Sequence, residues 1–440
     1  MNNQLDPLIE LQKEFCLIFL DSQNKVGLLN EINLIKLGYR SDDINMYKIE
    51  DGKFHMKRFL ENLPIVSIPK IVIDEFMINP NTIVYNKIAF TPLKTPKETL
   101  NYWVPPNITP IKGRYTLIRS FLKKIICNDD ENIFSYFLNF LAHMIQKPEE
   151  KPGIMIVILG EAGTGKGTFF NLLQKIWART TLLVTDIEHV VAGFNGVLER
   201  NYIVFMDEVN LKGQNKAMEK LKSFITESTI TIEQKYQPRR NLDSIHRFFA
   251  VTNRKHFGNI ELDDRRFVFL HTSNKFKGNY KYFKKLYDAI DCPKEIGSLY
   301  YDLISKDISQ FNVSLKPKTK ELLKQKLKSL NGFSRYWYEV LNLGYLDLGD
   351  RNQSLIGWDK PFFISSISLI EHFKLFQLSS RNFESIQSDD ISNGLIKWCS
   401  KSSYQRINKD GKQIRGYHLP SLKEARELFE IVIGDKINWH

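Results

Sequence analysis

The segment IMIVILGEAGTGKGTFFNLL, residues 154–173, constrains the fold more tightly than any other part of the chain. Its continuous aliphatic run, Ile154 to Leu159, reads as a strand buried on both faces of a parallel sheet. Gly160, then Gly165 and Lys166 after four intervening residues, reads as a glycine-rich turn, and Phe170, Leu172 and Leu173 give the helical spacing that follows. A strand, such a turn and a helix together form a phosphate-binding loop. The glycines let backbone N–H groups curl around phosphate oxygens at the helix N-terminus, and Lys166 supplies a point charge to the β and γ phosphates. The expected ATP contacts are Gly160, Gly163, Gly165, Lys166, Gly167 and Thr168. The usual hydroxyl residue directly after the lysine is replaced by Gly167, so Thr168, one further on, is the candidate hydroxyl for Mg2+.

About forty residues later NYIVFMDEVN supplies a second buried strand, Ile203 to Met206, ending in Asp207 and Glu208. Acids at the carboxyl end of a parallel strand face the same crevice as the loop. Asp207 suits the outer shell of a magnesium ion, and Glu208 suits the polarisation of a water molecule for attack on the γ phosphate. Read alone, the pair is an exposed acidic strand end; beside the glycine loop it is a candidate catalytic pair. A third strand, His246 to Thr252, ends in Asn253, a polar group able to hold that water or the γ phosphate. Arg265 and Arg266 follow an acidic turn and carry two readings, as partners of these acids or as fingers reaching a neighbouring subunit's γ phosphate.

At 440 residues the chain exceeds one compact core, and 42% hydrophobic with 25% charged residues excludes a disordered or fibrous protein. The net charge of +12 fits a polyanionic partner without identifying one. Cys16, Cys127, Cys292 and Cys399 form no CxxC pair, which suggests neither a zinc site nor a disulfide framework. The longest apolar run is far short of the ~20 residues of a membrane span, and no charged-then-apolar leader opens the chain. A soluble cytoplasmic protein with no membrane partner is expected.

Along the chain, residues 1–110 read as an accessory α+β region with β-branched runs at Ile65–Ile73 and Thr82–Phe90, closing in a Pro-rich linker, TPLKTPKETLNYWVPPNITP. Residues 111–150 read as a helical lead-in of two helices split by NDDE, 151–275 as the α/β core, 276–350 as a helical region and 351–440 as a further unit.

The order GEAGTGKGT, FNGVLERNYIVFMDE, LKSFITESTITIEQKYQPRR, FFAVTN and DDRRF closely resembles superfamily 3 helicases of the phage and plasmid primase-helicase type, over about residues 85–335. The resemblance implies an AAA+ P-loop core with a parallel sheet, a homo-hexameric ring, ATP and Mg2+ as cofactors, and translocation on single-stranded DNA, normally 3′ to 5′. It makes Lys166 and Thr168 the Walker A lysine and hydroxyl, Asp207 and Glu208 the Walker B acids, Asn253 the sensor asparagine, and either Arg265 or Arg266 the arginine finger. It also assigns Thr229–Phe248 to a pore hairpin, with Lys235, Tyr236, Arg239 and Arg240 near its tip as DNA contacts; without the resemblance this is a basic surface hairpin. In several relatives of this type the helicase follows a primase-polymerase domain. Here only about 110 residues precede the helical lead-in, and Asp74-Glu75 makes no two-metal site, so a primase or polymerase is expected as a partner or as another part of a larger protein.

Ile367–Phe376 and Ile391–Trp398 have helical spacing and precede SYQRINKDGKQIRGYHL, in which alternating residues flank a KDGK turn. Two helices and a basic hairpin make a winged-helix-like DNA-binding domain, with Lys409 and Lys412 as phosphate contacts beside Lys401, Arg406 and Arg415. The plain alternative is a solvated hairpin. The sequence therefore points to an ATP-dependent replicative DNA helicase on single-stranded and forked duplex DNA. The competing reading is an AAA+ origin-binding initiator or loader that remodels DNA without processive unwinding. A small-molecule kinase is disfavoured by Glu208, Asn253 and the arginine pair.

Overall fold

The computed structural model describes residues 6–20, 23–30, 32, 45–64, 68–191, 193, 195–209, 211–233, 239–346, 356–379, 388–409 and 411–440. They fall into two compact units, residues 1–257 with 265–319, and residues 258–264 with 320–440. The division at Thr319–Lys320 cuts the 276–350 segment, leaving helices Tyr280–Asp291 and Pro293–Ser305 in the first unit and Lys320–Ser329 and Gly332–Leu343 in the second.

The first unit is built on five parallel strands in the order Phe267–His271, Met155–Leu159, Arg247–Thr252, Ile203–Asp207, Thr181–Val184. Met155–Leu159 is buried along its whole length between two parallel neighbours, which is why its sequence is apolar without alternation. Met155 lies opposite both Phe248 and Phe267, and Leu159 opposite Thr252 and His271, so the strands run in step. Parallel pairing brings every carboxyl end to one edge. The chain leaves that edge at Gly160, Glu208, Asn253 and Thr272.

The expected helical lead-in is present as Thr116–Phe121, continued by a π-helical turn at Leu122–Ile126, and Glu131–Gln146. Asn128 and Asp129 between them have φ of 51° and 62°, a left-handed turn that Asn and Asp tolerate. The second helix is capped by Asp130, whose carboxylate accepts from Ile133 N–H at 3.0 Å. It docks on the sheet through interlocked rings, with Phe137 5.4 Å from Phe169, Phe140 6.0 Å from Phe249 and Phe169 5.7 Å from Phe249, all buried.

Two features of the N-terminal region depart from expectation. Within the Ile65–Ile73 run the described part is not a strand, because Pro69 opens a helix, Pro69–Ile78, whose Ile73 and Phe76 turn inward together. The Pro-rich stretch is not a free linker. Thr99–Asn101 pairs in parallel with Lys87–Ala89, and Leu100, Tyr102 and Val104 are buried in the main core. A separate small core of Leu11, Phe15, Leu17, Val26, Met56, Leu60, Ile73 and Phe76 lies under the sheet formed by Met46–Lys48, Gln23–Leu28, Phe15–Leu20 and Val84–Tyr85.

In the second unit, helices Gly332–Leu343, Ser366–Ser379, Ser388–Trp398 and Leu422–Ile433 surround an antiparallel sheet ordered Phe362–Ser365, Lys412–Leu419, Ser403–Lys409. Its core is aromatic, with Trp337, Trp358, Trp398, Phe373 and Phe429 all buried. Among the described residues no helix is long and apolar enough to cross a membrane.

Candidate nucleotide site and basic surfaces

The loop between Met155–Leu159 and the helix Lys166–Ile176 is shaped by glycines. Gly163 and Gly165 have φ of 76° and 95°, where a side chain is strained. A Cβ on Gly165 would meet the rings of Phe121 and Phe283 at 2.9 Å, and one on Gly160 would meet Thr272 Oγ1 at 1.8 Å. Thr272 Oγ1 instead donates to Thr164 Oγ1 at 2.8 Å, and Thr164 donates to the Glu161 carbonyl at 2.8 Å, bracing the turn. The Lys166 ammonium is buried and curls over the loop, donating to the carbonyls of Gly160 (2.7 Å) and Glu161 (2.8 Å). Burial pushes its pKa down, against the pull of Glu208 and Asp207.

Thr168 differs from expectation. Its buried hydroxyl donates to the Tyr287 phenol oxygen at 3.1 Å, on the helix Tyr280–Asp291. Two residues along a helix turn a side chain by roughly 200°, which directs Thr168 to that packed face rather than to a metal ligand position beside Lys166. Gly167 has open space where a side chain would stand.

Asp207 ends its strand half-buried, and Glu208 follows with φ of 55°, an uncommon conformation for a residue with a side chain. Its N–H donates to the Val251 carbonyl at 3.0 Å, and its Oε2 accepts from the Asn253 N–H at 3.3 Å. The left-handed turn thus aims the carboxylate across to the end of the next strand. Asn253 meets Glu208 through its backbone, while its side chain is exposed. Burial, then the Glu208 charge, raises the Asp207 pKa, and Lys166 pulls it back. Among the described residues no group of three His, Cys, Asp or Glu is arranged to hold a metal by itself.

Lys166, Asp207, Glu208 and Asn253 are thus gathered at the carboxyl edge of the sheet. Arg265 and Arg266 are not. They precede Phe267–His271, and the Arg266 carbonyl accepts from Met155 N–H at 2.8 Å at the opposite edge. Arg265 is exposed; Arg266 is half-buried with its Nε enclosed by protein.

The expected hairpin is Thr229–Ile232 paired with Arg240–Asp243; Lys235 and Tyr236 lie outside the described residues. Arg240 is not free to act as a DNA contact, because it pairs at 2.5 Å with the buried Glu199 carboxylate and so ties the hairpin base down. Arg239 is 71% exposed and pairs with Glu233 at 3.2 Å, a contact water would screen. In the second unit Lys412 is exposed opposite Lys409, whose side chain lies outside the described residues. Exposed Arg406 and Arg415 sit directly across from each other, a like-charge pairing that a polyanion would relieve. Lys401 instead pairs with Glu424.

One stretch was missed by motif reading. Asn274–Tyr287 carries five lysines and no acid. Its Lys277 pairs with Glu161 of the glycine loop, and Asn274 donates to the same carboxylate at 2.9 Å, together holding its pKa down. Alternation of Lys with Phe and Tyr in KFKGNYKYFKK was the available signal.

A family profile described as a family of unknown function (DUF5906) matches residues 158–266, the stretch that holds the loop, the acids, Asn253 and both arginines. The DNA primase-polymerase of Nitratiruptor phage NrS-1 is 28% identical over 243 residues, which are 52% of this chain and 33% of that protein, so the chain matches about a third of that relative's length. An apo structure of the NrS-1 C-terminal region has a TM-score of 0.67 at 17% identity, covering 95% of this chain and 100% of that one. An A-form apo structure of the same region gives 0.65 at 19% identity, with coverage of 95% and 100%. The chain is homologous to a phage primase-polymerase and shares the fold of its C-terminal region.

Proposed function

We propose that this chain is the motor part of a phage DNA-replication protein, a helicase that hydrolyses ATP and translocates on single-stranded DNA in the host cytoplasm, acting with or within a primase-polymerase. The observation that carries the reading is the division of the candidate residues between the two edges of one sheet. Lys166, Asp207, Glu208 and Asn253 share the carboxyl edge, and the arginines lie at the other. Such a site is completed by a second copy, which supports a ring, a homo-hexamer on the superfamily 3 pattern, with Arg265 as the finger because it is exposed.

In the reaction, N–H groups of the glycine loop hold the triphosphate and Lys166 leaves its two carbonyls for the β and γ phosphates. Glu208 takes a hydrogen bond from water and draws off its proton as the oxygen attacks the γ phosphorus; the bond to the β-phosphate oxygen breaks and ADP leaves. Asn253 orients that water. The acid at Asp207 and the open space at Gly167 fit a Mg2+ ion carrying its own waters, which would neutralise charge on the phosphates when bound. In the second unit, Gly332–Leu343 is followed by a two-residue strand pair, Tyr345–Leu346 with Ile356–Gly357, and then by strand–helix–helix–strand–strand from Phe362 to Leu419, an order that supports a winged-helix reading in which Lys412, Arg406 and Arg415 form a basic wing.

The test is ATP-dependent displacement of a labelled strand from a forked duplex by the purified chain. Displacement that stops with Glu208→Gln supports the reading. ATP hydrolysis with duplex opening limited to a few base pairs favours an initiator or loader, and absence of nucleotide binding defeats both.

A further inference from the structure

We infer that the segment Asn274–Tyr287, which shares no residue with the hairpin or the C-terminal wing, is a docking surface for single-stranded nucleic acid attached to the nucleotide loop. The stretch holds five lysines and no acid of its own, against a net charge of +12 for the whole chain, and of the five Lys277 is paired with Glu161. The second half of it is helical from Tyr280, with Asn279 as cap, and buries Leu286, Ala289 and Ile290. At 100° per residue, Tyr287, Tyr280, Lys284, Lys281 and Lys285 then cover one continuous outward face of roughly 160°. All five are exposed, Tyr280 at 87%. A large aromatic ring so bare, flanked by lysines, suits no packing role; it suits base stacking beside phosphate charge. Tyr280 and Tyr287 stand two turns apart, about 10 Å, so two rings can engage one strand.

The surface is tied to the loop at two points. Lys277 pairs with Glu161, and Tyr287 accepts the Thr168 hydroxyl at 3.1 Å. Gly278, with φ of 72°, brings the backbone to 3.9 Å from where a Cβ of Gly163 would stand. A strand lying here would therefore touch the same helix that positions the nucleotide loop.

The test uses the full chain without ATP, so that it is independent of hydrolysis: a fluorescent oligo-dT is titrated across salt concentrations. Lys281→Glu with Lys284→Glu and Lys285→Glu should weaken binding at least tenfold and flatten the log–log salt slope by about 2, as expected for loss of three phosphate contacts on a single strand. Tyr280→Ala, at an exposed position that cannot disturb the core, should weaken binding roughly 5- to 150-fold with the slope unchanged. The triple Arg variant should bind as wild type, and affinity for a fluorescent ATP analogue should hold within about twofold in every variant. Unchanged oligonucleotide affinity and slope in both the Glu and Ala variants overturns the inference. So does a Glu variant that alters self-association in sedimentation while binding DNA normally, since the face would then meet a second copy.

Discussion

Replacing Arg265 by Ala removes a guanidinium that the sheet holds away from its own nucleotide loop. The strand after it, Phe267–His271, has five residues, so at about 3.3 Å per residue the two edges lie roughly 16 Å apart. A fully extended arginine side chain covers about 7 Å of that distance. Its own chain cannot close the gap; in the proposed ring a neighbouring copy would have to. Loss of such an arginine costs about 10³- to 10⁵-fold in turnover in related phosphoryl transfers, so Arg265→Ala should bind ATP normally and fall to background hydrolysis. Lys166→Ala fails for a different reason, because the site on its own chain loses the phosphate charge while its Arg265 remains. When the two inactive proteins are mixed in equal amounts and exchange subunits, a site works wherever its own chain has Lys166 and its neighbour has Arg265. About a quarter of wild-type turnover should return, measured as phosphate release across mixing ratios. Mixtures that stay at the level of the inactive parents would refute action between copies. Full hydrolysis by Arg265→Ala alone would remove that residue from the site. Arg266→Ala should show no such complementation, since the side chain is half-buried and its loss acts on stability.

Further outcomes follow from the loop and its surroundings. Gly165→Ala forces a side chain into φ of 95° against two phenyl rings at 2.9 Å, so it should lower stability by about 1–3 kcal/mol in denaturant melts and abolish nucleotide binding. Gly167→Ser, by contrast, enters open space; its melting temperature should match wild type, and its affinity for the Mg2+–nucleotide pair, titrated by calorimetry, should rise. Glu208→Gln should retain ATP affinity and lose roughly 10²-fold or more in turnover, and equal turnover would dismiss the base assignment. His246 is fully buried, with its Nε2 2.8 Å from the Leu198 carbonyl, and burial lowers its pKa from 6.5 to about 4. Because the unfolded chain binds the extra proton between those values, stability is complete above about pH 6.5 and falls as pH drops toward 4, by up to about 3 kcal/mol. His246→Gln should flatten the melting temperature between pH 6.5 and 5.

The core strands and the loop were legible because their signals are local. Apolar residues without alternation marked Met155–Leu159, and glycine spacing marked the turn. The helices at Ser366–Ser379 and Ser388–Trp398 were legible for the same reason. What local pattern could not supply was direction and partnership. Thr168 is a hydroxyl at nearly the right place, but only the neighbouring helix reveals that it donates to Tyr287. Arg240 reads as a free cation until Glu199, forty-one positions earlier, is found buried against it. Proline in TPLKTPKETLNYW suggested a linker, whereas parallel pairing of Thr99–Asn101 and burial of Tyr102 depend on a surface the sequence does not display nearby. The two arginines were recognised by type, and their separation from the acids emerged only from the strand register.

The most direct measurement is phosphate release by the purified chain with ATP and Mg2+, with and without single-stranded DNA, set against Glu208→Gln in the same buffer. A motor assembled as described should hydrolyse ATP, accelerate severalfold when the strand is added, and stop in the Gln variant while that variant still binds nucleotide. Phosphate release no higher than that of the Gln variant at every DNA concentration would contradict an ATP-driven function for this chain.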